Sequence, residues 1–337
     1  VSALLWFLCS RRLGAISLLL GAAGALLIGF ASSTYTIMVI CLFVYSLGNH
    51  LIMPVNATIG MELAREGKTG QRLGQLNALR NAAVIAGSFF VLLGFKYLDF
   101  QFQHTFVLAA VGLLLAAGLM FKMKSQAQQR TRNFLTLRRE YKLYYLMAVL
   151  LGSRKQIFLT FAPWVLVTVF EQPVQILATL MTIGGIISIL FQPLLGWLVD
   201  HLGEKRVLIA EALIFVPVCF GYGFARDLLP GGAAFYVVCA CYLLDQMLLS
   251  VNMARTTYMK KIALRPEDIQ PALTASVTID HAFSIGVALL GGVIWSAFGY
   301  QYVFLLGVFI AALNVAAALQ IHLPLPAASP KQEAVAP

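Results

Sequence analysis

An all-α bundle of membrane-crossing helices is the architecture this chain encodes, and three observations point to it. Of 337 residues, 60% are hydrophobic and only 11% are charged, against roughly 45–50% apolar and about 25% charged in a soluble domain. A mean hydropathy of +0.83 is too high for a water-soluble globule, which would leave too much apolar surface wet. The apolar residues also gather in runs of about 20, the length a helix needs to cross the hydrocarbon core.

Ten such spans are expected, bounded by charged or turn-forming residues: 14–31, 35–60, 74–95, 104–121, 143–170, 173–198, 207–225, 232–254, 271–296 and 301–321. Arg11-Arg12 precede the first, Arg65 to Arg72 separate the second from the third, and Lys122 closes the fourth. Pro173, Lys205-Arg206, Pro230 and Pro271 lie at the starts of later ones. Residues 1–9 read as the tail of an earlier span, and the chain begins with Val, so an upstream piece is expected. No signal peptide is recognisable, because the basic pair follows the apolar start.

The formal charge of +10 suggests nucleic acid until its positions are mapped. Lys96 and Arg226 lie in loops on one side, and Arg80, Arg154 and Lys155 fall inside spans; the other nineteen of the 24 Lys and Arg sit on the opposite side. Short cytoplasmic loops retain Lys and Arg, so that basic side, with the central linker 122–142 and the C-terminus, is expected to be cytoplasmic in an inner membrane. The linker is a solvated, basic segment beside anionic headgroups, with no nucleic-acid partner. Residues 324–337, rich in Pro and Ala, read as a disordered tail. The five cysteines lie in or beside apolar runs without CxxC or His spacing, so neither a disulfide nor a metal site is expected. No cofactor is expected.

A shift of 196 places Asn49 on Asp245, His50 on Gln246, Val55 on Val251 and Asn56 on Asn252. Two similar halves with a path between them are a common transporter plan. The offset places the start of the first half about fifty residues before Val1, room for two more helices and a twelve-span chain. The halves are then 1–121, incomplete, and 143–323.

Residues 196–206, GWLVDHLGEKR, resemble the G-x-L-x-D-R-x-G-R-R loop of the major facilitator superfamily, with His201 in place of Arg. The first-half counterpart, SALLWFLCSRR at 2–12, keeps Leu and the basic pair but lacks both glycines and the Asp. REGKTGQRLG at 65–74 is similar to the family's loop between its fourth and fifth helices. The resemblance covers nearly the whole chain and implies a cytoplasmic gate at Gly196, Asp200, Gly203, Lys205 and Arg206. On physical grounds alone, the glycines permit a tight turn and close backbone approach, and Asp200 can cap a helix N-terminus. A plain turn with positive-inside charges is the competing reading.

Ionisable side chains at mid-membrane cost about 2.5–3.5 kcal/mol and usually face a cavity or a partner. Counting about 1.5 Å per residue, His50, Arg154, Lys155, Asp245, Asp280 and His281 share one level. Asn49 and Asn56 share a helix face, as do Tyr242, Asp245 and Asn252, and Ser276, Asp280 and Ser284 form a stripe. By resemblance, spans 35–60, 143–170 and 232–254 line the central cavity. Asn49, His50, Arg154, Lys155, Tyr242, Asp245 and Gln246 thereby become candidates for the substrate and proton pathway. Arg80, Asp280 and His281 are placed between the halves, in the spans that also hold Gly87, Gly94, Gly286, Gly291 and Gly292. Asp245 and Asp280 serve equally well as static partners of Arg154, Lys155 or Arg80. Glu211 is assigned to the interface, and Asn56 and Asn252 to helix-to-helix hydrogen bonds.

The expected function is secondary active transport of a small solute by alternating access, coupled to a proton or ion. Arg154 and Lys155 hint at an organic anion. A transporter-like receptor or regulatory scaffold is the alternative; an enzyme is not expected, since no nucleophile–base or metal-ligand set appears. No phosphate-cradling loop for ATP is present, and Gly87 is followed by Ser88 where the family's antiporter signature needs Gly-Pro. Expected partners are the solute, the coupling ion and the bilayer, with the chain a monomer.

Overall fold

The computed structural model describes residues 10–31, 34–123 and 138–321. The segment 1–9, with most of the first-half motif copy, most of the linker 122–142 and the tail 324–337 lie outside the described residues. The chain runs as α1 (Ser10–Ala31), α2 (Tyr35–Glu62), α3 (Thr69–Tyr97), α4 (Phe102–Lys122), α5 (Lys142–Trp164), α6 (Val174–Leu202), α7 (Glu204–Leu228), α8 (Gly231–Leu249), α9 (Asn252–Ile262), α10 (Ile269–Phe298) and α11 (Tyr300–Leu319). Among the described residues, nine segments are long and apolar enough to cross a membrane, with α8 and α9 together forming one of them, Gly231–Ile262. α5, with Arg154 and Lys155 in its middle, falls outside that count.

Local chemistry sets several boundaries. The Thr34 hydroxyl accepts the Ile37 amide at 3.4 Å and opens α2, a side-chain cap of the usual kind. Gly203 (φ +84) and Gly299 (φ +106) make the abrupt turns from α6 to α7 and from α10 to α11, conformations that residues with a Cβ rarely adopt. Beyond Pro163 in α5 the backbone widens into a π turn over Val165–Val169.

Two expected boundaries differ from the observed ones. The third span begins at Thr69, five residues before the expected 74, because Asp200 caps its first turn from 130 residues away. The expected span 232–254 breaks: Ser250 and Val251 donate to Met247 and Leu248, three residues back. That tighter i→i−3 winding ends α8 before α9 begins.

The helices pack as two sets. α1 lies against α2 and α4, with Gly24 at the Tyr45 backbone and Gly48 at the backbones of Ser17 and Gly21, where a Cβ would not fit. α5, α7, α8, α10 and α11 surround an aromatic core: the Phe158 ring lies 4.9 Å from Phe215, 5.2 Å from Tyr222 and 5.6 Å from Phe304. α3 packs against α6, and α2 against α10, joining the sets. Large apolar side chains such as Phe30, Phe43, Leu115, Leu190 and Leu289 face outward, a surface suited to acyl chains rather than water.

Candidate functional site

Three constellations of polar groups organise the molecule. The first closes the basic face. Asp200, near the end of α6, accepts the Gly70 amide at 2.7 Å and the Gln71 amide at 2.6 Å, satisfying two otherwise orphaned donors of α3. Gly70 lies against the Gly196 backbone, and Gly74 against the backbone of Gln192 and Pro193. Lys260 on α9 donates to the Met61 carbonyl at 3.1 Å and to the Thr69 hydroxyl at 3.0 Å. Gly203 forms the α6–α7 turn, Lys205 donates to the Leu319 carbonyl at the end of α11, and Arg206 is exposed. The stretch 196–206 is therefore mostly helix, with only Gly203 as the turn itself.

The second lies inside the α5–α11 set. Arg154 donates to Glu211 and, at 3.2 Å, to Asp245, while Arg255 reaches Glu211 at 2.9 Å. The Arg154 guanidinium also stands 4.3 Å from the centre of the Phe215 ring. All four charged residues are buried, and two cations against two carboxylates leave the cluster neutral. Burying these charges is tolerable only because each has a partner. Glu211 is thus a core residue rather than an interfacial one, drawn inward by two arginines. Arg154 and Asp245 turn away from the seam between the sets, and Tyr242 is buried beside them.

The third sits at that seam, about twelve residues, or roughly 18 Å at 1.5 Å each, from the basic ends of α2 and α10. Lys155 on α5 pairs with Asp280 Oδ2 on α10. His281 Nδ1 lies 3.3 Å from the same oxygen and 2.8 Å from the Val277 carbonyl. The His50 ring on α2 meets the His281 ring edge-on, centroids 5.1 Å apart, and its Nδ1 lies 2.8 Å from the Ser46 carbonyl. A carbonyl only accepts, so each Nδ1 is the donor in these contacts. Asp280 Oδ1 is buried with no hydrogen-bond partner among the described residues. The Lys155 side chain is 24% exposed and that of His281 42%, so this cluster is reachable where the Arg154 cluster is not.

The structure thus joins His50 and Lys155, expected on the pathway, to Asp280 and His281, expected between the halves. Asn49 is half-buried on α2, and Gln246 packs on Gly184 of α6. Arg80 is exposed and makes no described ion pair or hydrogen bond. Asn56 and Asn252 are exposed, without the expected side-chain bonds between helices. Gly87, Gly286 and Gly292 have open space around them, whereas Gly94 lies against the Phe100 ring and Gly291 against that of Phe161; close approaches to backbone fall at Gly70, Gly74, Gly196 and Gly152, the last against the Asp280 backbone. Sequence reasoning missed Arg255 and Lys260, which it assigned to a basic loop. The signal was the apolar spacing continuing past 254, at Met259 and Ile262.

The model of the Major Facilitator Superfamily matches residues 8–279. The chain belongs to the major facilitator superfamily. It is accordingly an integral, multi-pass membrane protein and a transporter rather than an enzyme. Two solved major facilitator structures share its fold. FucP, a transporter in the outward conformation, superposes with a TM-score of 0.72 at 17% identity, covering 94% of this chain and 84% of that one. The human organic anion transporter MFSD10 (TETRAN) gives 0.66 at 13% identity, with 94% and 82% covered. No curated protein matches the chain.

Proposed function

We propose that this transporter carries a small organic anion together with a proton, by alternating access of the halves 1–121 and 143–323 around the Lys155–Asp280–His281–His50 cluster. The single observation behind this reading is an accessible lysine at mid-membrane whose only described carboxylate partner, Asp280, keeps one oxygen unbonded. Lys155 and Asp280 together are neutral. A substrate carboxylate that binds Lys155 while Asp280 is ionised leaves a net negative charge in a low-dielectric site, which is costly. Protonation of Asp280 releases Lys155 and restores neutrality, so one proton accompanies each monoanion. His281 Nδ1 lies 3.3 Å from Asp280 Oδ2 and the His50 ring packs on that of His281, so the two imidazoles line the approach to Asp280. MFSD10, described as an organic anion transporter, is consistent with this substrate class.

The basic face is read as cytoplasmic, in an inner membrane. Contacts of Asp200, Lys260, Gly70 and Gly74 then close the cytoplasmic side, which accords with the outward conformation of FucP. The test is uptake of a panel of mono- and dicarboxylates and phosphorylated compounds by vesicles containing the full chain. A substrate should accumulate against its gradient under an inward proton gradient, and accumulation should collapse with a protonophore. Lys155→Gln should raise the half-saturating concentration at least about tenfold, the scale of one lost charge-assisted bond. Unchanged affinity in that variant overturns the anion assignment. Binding without accumulation, indifferent to the protonophore, would instead mark a transporter-like receptor.

A further inference from the structure

Outside the gate and the seam, the connection from α2 to α3 builds a cavity of about 320 Å³ lined by Leu63, Arg65, Lys68, Gln71, Arg72 and Gln75. Three cations and two amides line it, and no carboxylate does. Of the acidic groups nearby, Glu62 pairs with Arg11, Asp200 is held by the Gly70 and Gln71 amides, and Glu66, exposed on the same connection, is not part of the lining. Those two amides are consequently not free at the α3 N-terminus, and any ligand here must be held by side chains. None of Arg65, Lys68 and Arg72 makes an ion pair among the described residues, and Arg72 Nε is buried without a hydrogen-bond partner.

Three like charges within one cavity repel one another at distances shorter than the screening length of about 8 Å in physiological salt. Their arrangement is relieved by a multiply charged anion. Guanidinium forks match a tetrahedral oxyanion in two-point contact, and a lysine adds a point charge. The cavity lies where α2 ends at Glu62 and α3 begins at Thr69, the level of the headgroups, and Leu63 supplies an apolar edge. We propose that this cavity binds a phosphate group, carried by an anionic lipid headgroup or by a soluble phosphoester. Basic pockets at the ends of spans hold lipid phosphates elsewhere by this chemistry.

The test uses the full chain purified in a neutral detergent, with its thermal unfolding midpoint as readout and no transport assay. Phosphatidylglycerol, phosphatidylcholine and glycerol phosphate are titrated separately. Phosphatidylglycerol should raise the midpoint and phosphatidylcholine should not, with an effect that weakens as salt rises. An equal rise with glycerol phosphate alone assigns a soluble source; a rise with lipid only assigns the bilayer. Both support the site, provided that Arg65→Gln/Lys68→Gln, made at two exposed positions, and Arg72→Gln each weaken half-saturation at least about tenfold. Arg265→Gln, an exposed cation on the same face outside the cavity, should change nothing. No shift with either phosphate compound, or the same loss in Arg265→Gln as in the cavity variants, overturns the proposal.

Discussion

Arg154 and Lys155 are adjacent in sequence and opposite in circumstance. Neighbouring positions on a helix point about 100° apart, so one enters the neutral core cluster and the other reaches the seam. Arg154→Ala leaves Glu211 short of one partner and Asp245 without its described one, a loss of about 3–5 kcal/mol that should appear as a markedly lower thermal unfolding midpoint. Lys155→Ala, at a partly exposed side chain, should leave the midpoint within a few degrees while abolishing saturable anion uptake. Asp280→Asn should remove proton-driven accumulation yet retain solute exchange across vesicles loaded on both sides, measured as counterflow. The depth of these residues was legible in the sequence, because charges are scarce in apolar runs. Which of two neighbours faces the seam was not, since their partners at 211, 245 and 280 come from remote helices. Glu211 was misplaced for the same reason: its distance from the helix end suggested the interface, but Arg154 and Arg255 hold it inside.

Helix existence followed directly from hydropathy and loop charge, and all ten expected spans overlap observed helices. Their ends followed less well wherever a distant residue decides them. The α3 start depends on Asp200, and no local residue announces it, since the N-cap position is Lys68 without a side-chain bond. Asp200→Ala should therefore loosen the first turn of α3 by about 1 kcal/mol per lost cap. Hydrogen exchange should report it as a several-fold to tenfold faster exchange of the Gly70 and Gln71 amides, with the remainder of α3 unchanged. Tyr141 ties the connection entering α5 to the start of α10: its hydroxyl donates to Asp268 at 2.8 Å and accepts the Leu264 amide at 3.0 Å. Burial raises the Tyr141 phenol above its ordinary range, so the hydroxyl stays protonated and able to donate throughout the physiological range. Tyr141→Phe should lower the unfolding midpoint by the equivalent of about 1–3 kcal/mol, since it leaves the Leu264 amide unbonded and the buried Asp268 carboxylate with Arg138 alone.

For the whole molecule, the two sets of helices meet through glycine contacts, a few polar bonds and buried apolar residues such as Met61, Leu73, Leu195 and Val199. Gly74→Leu places a branched side chain where the Gln192 backbone now lies, and it should force α3 away from α6. Impermeant thiol reagents applied from the basic side should then label a cysteine introduced at Gln71 in a cysteine-free background faster than in the parent. Equal labelling rates would mean that α3 and α6 do not form the closure. The two positions that the shift of 196 pairs differ in their surroundings: His50 meets His281 at the seam, whereas Gln246 packs against Gly184 of α6.

The interruption at Ser250–Val251 divides a single crossing into two lengths that share one ionic cluster. The longer length carries Asp245, held by Arg154; the other is eleven residues long, carries Arg255 of the same cluster and ends with the Lys260 contacts. Swinging the short length about the tightly wound Ser250–Val251 turn to release Lys260 therefore also pulls on the buried Arg255–Glu211 pair. A change at Lys260 is thereby tied, through one eleven-residue helix, to the ion pairs at the centre of the bundle.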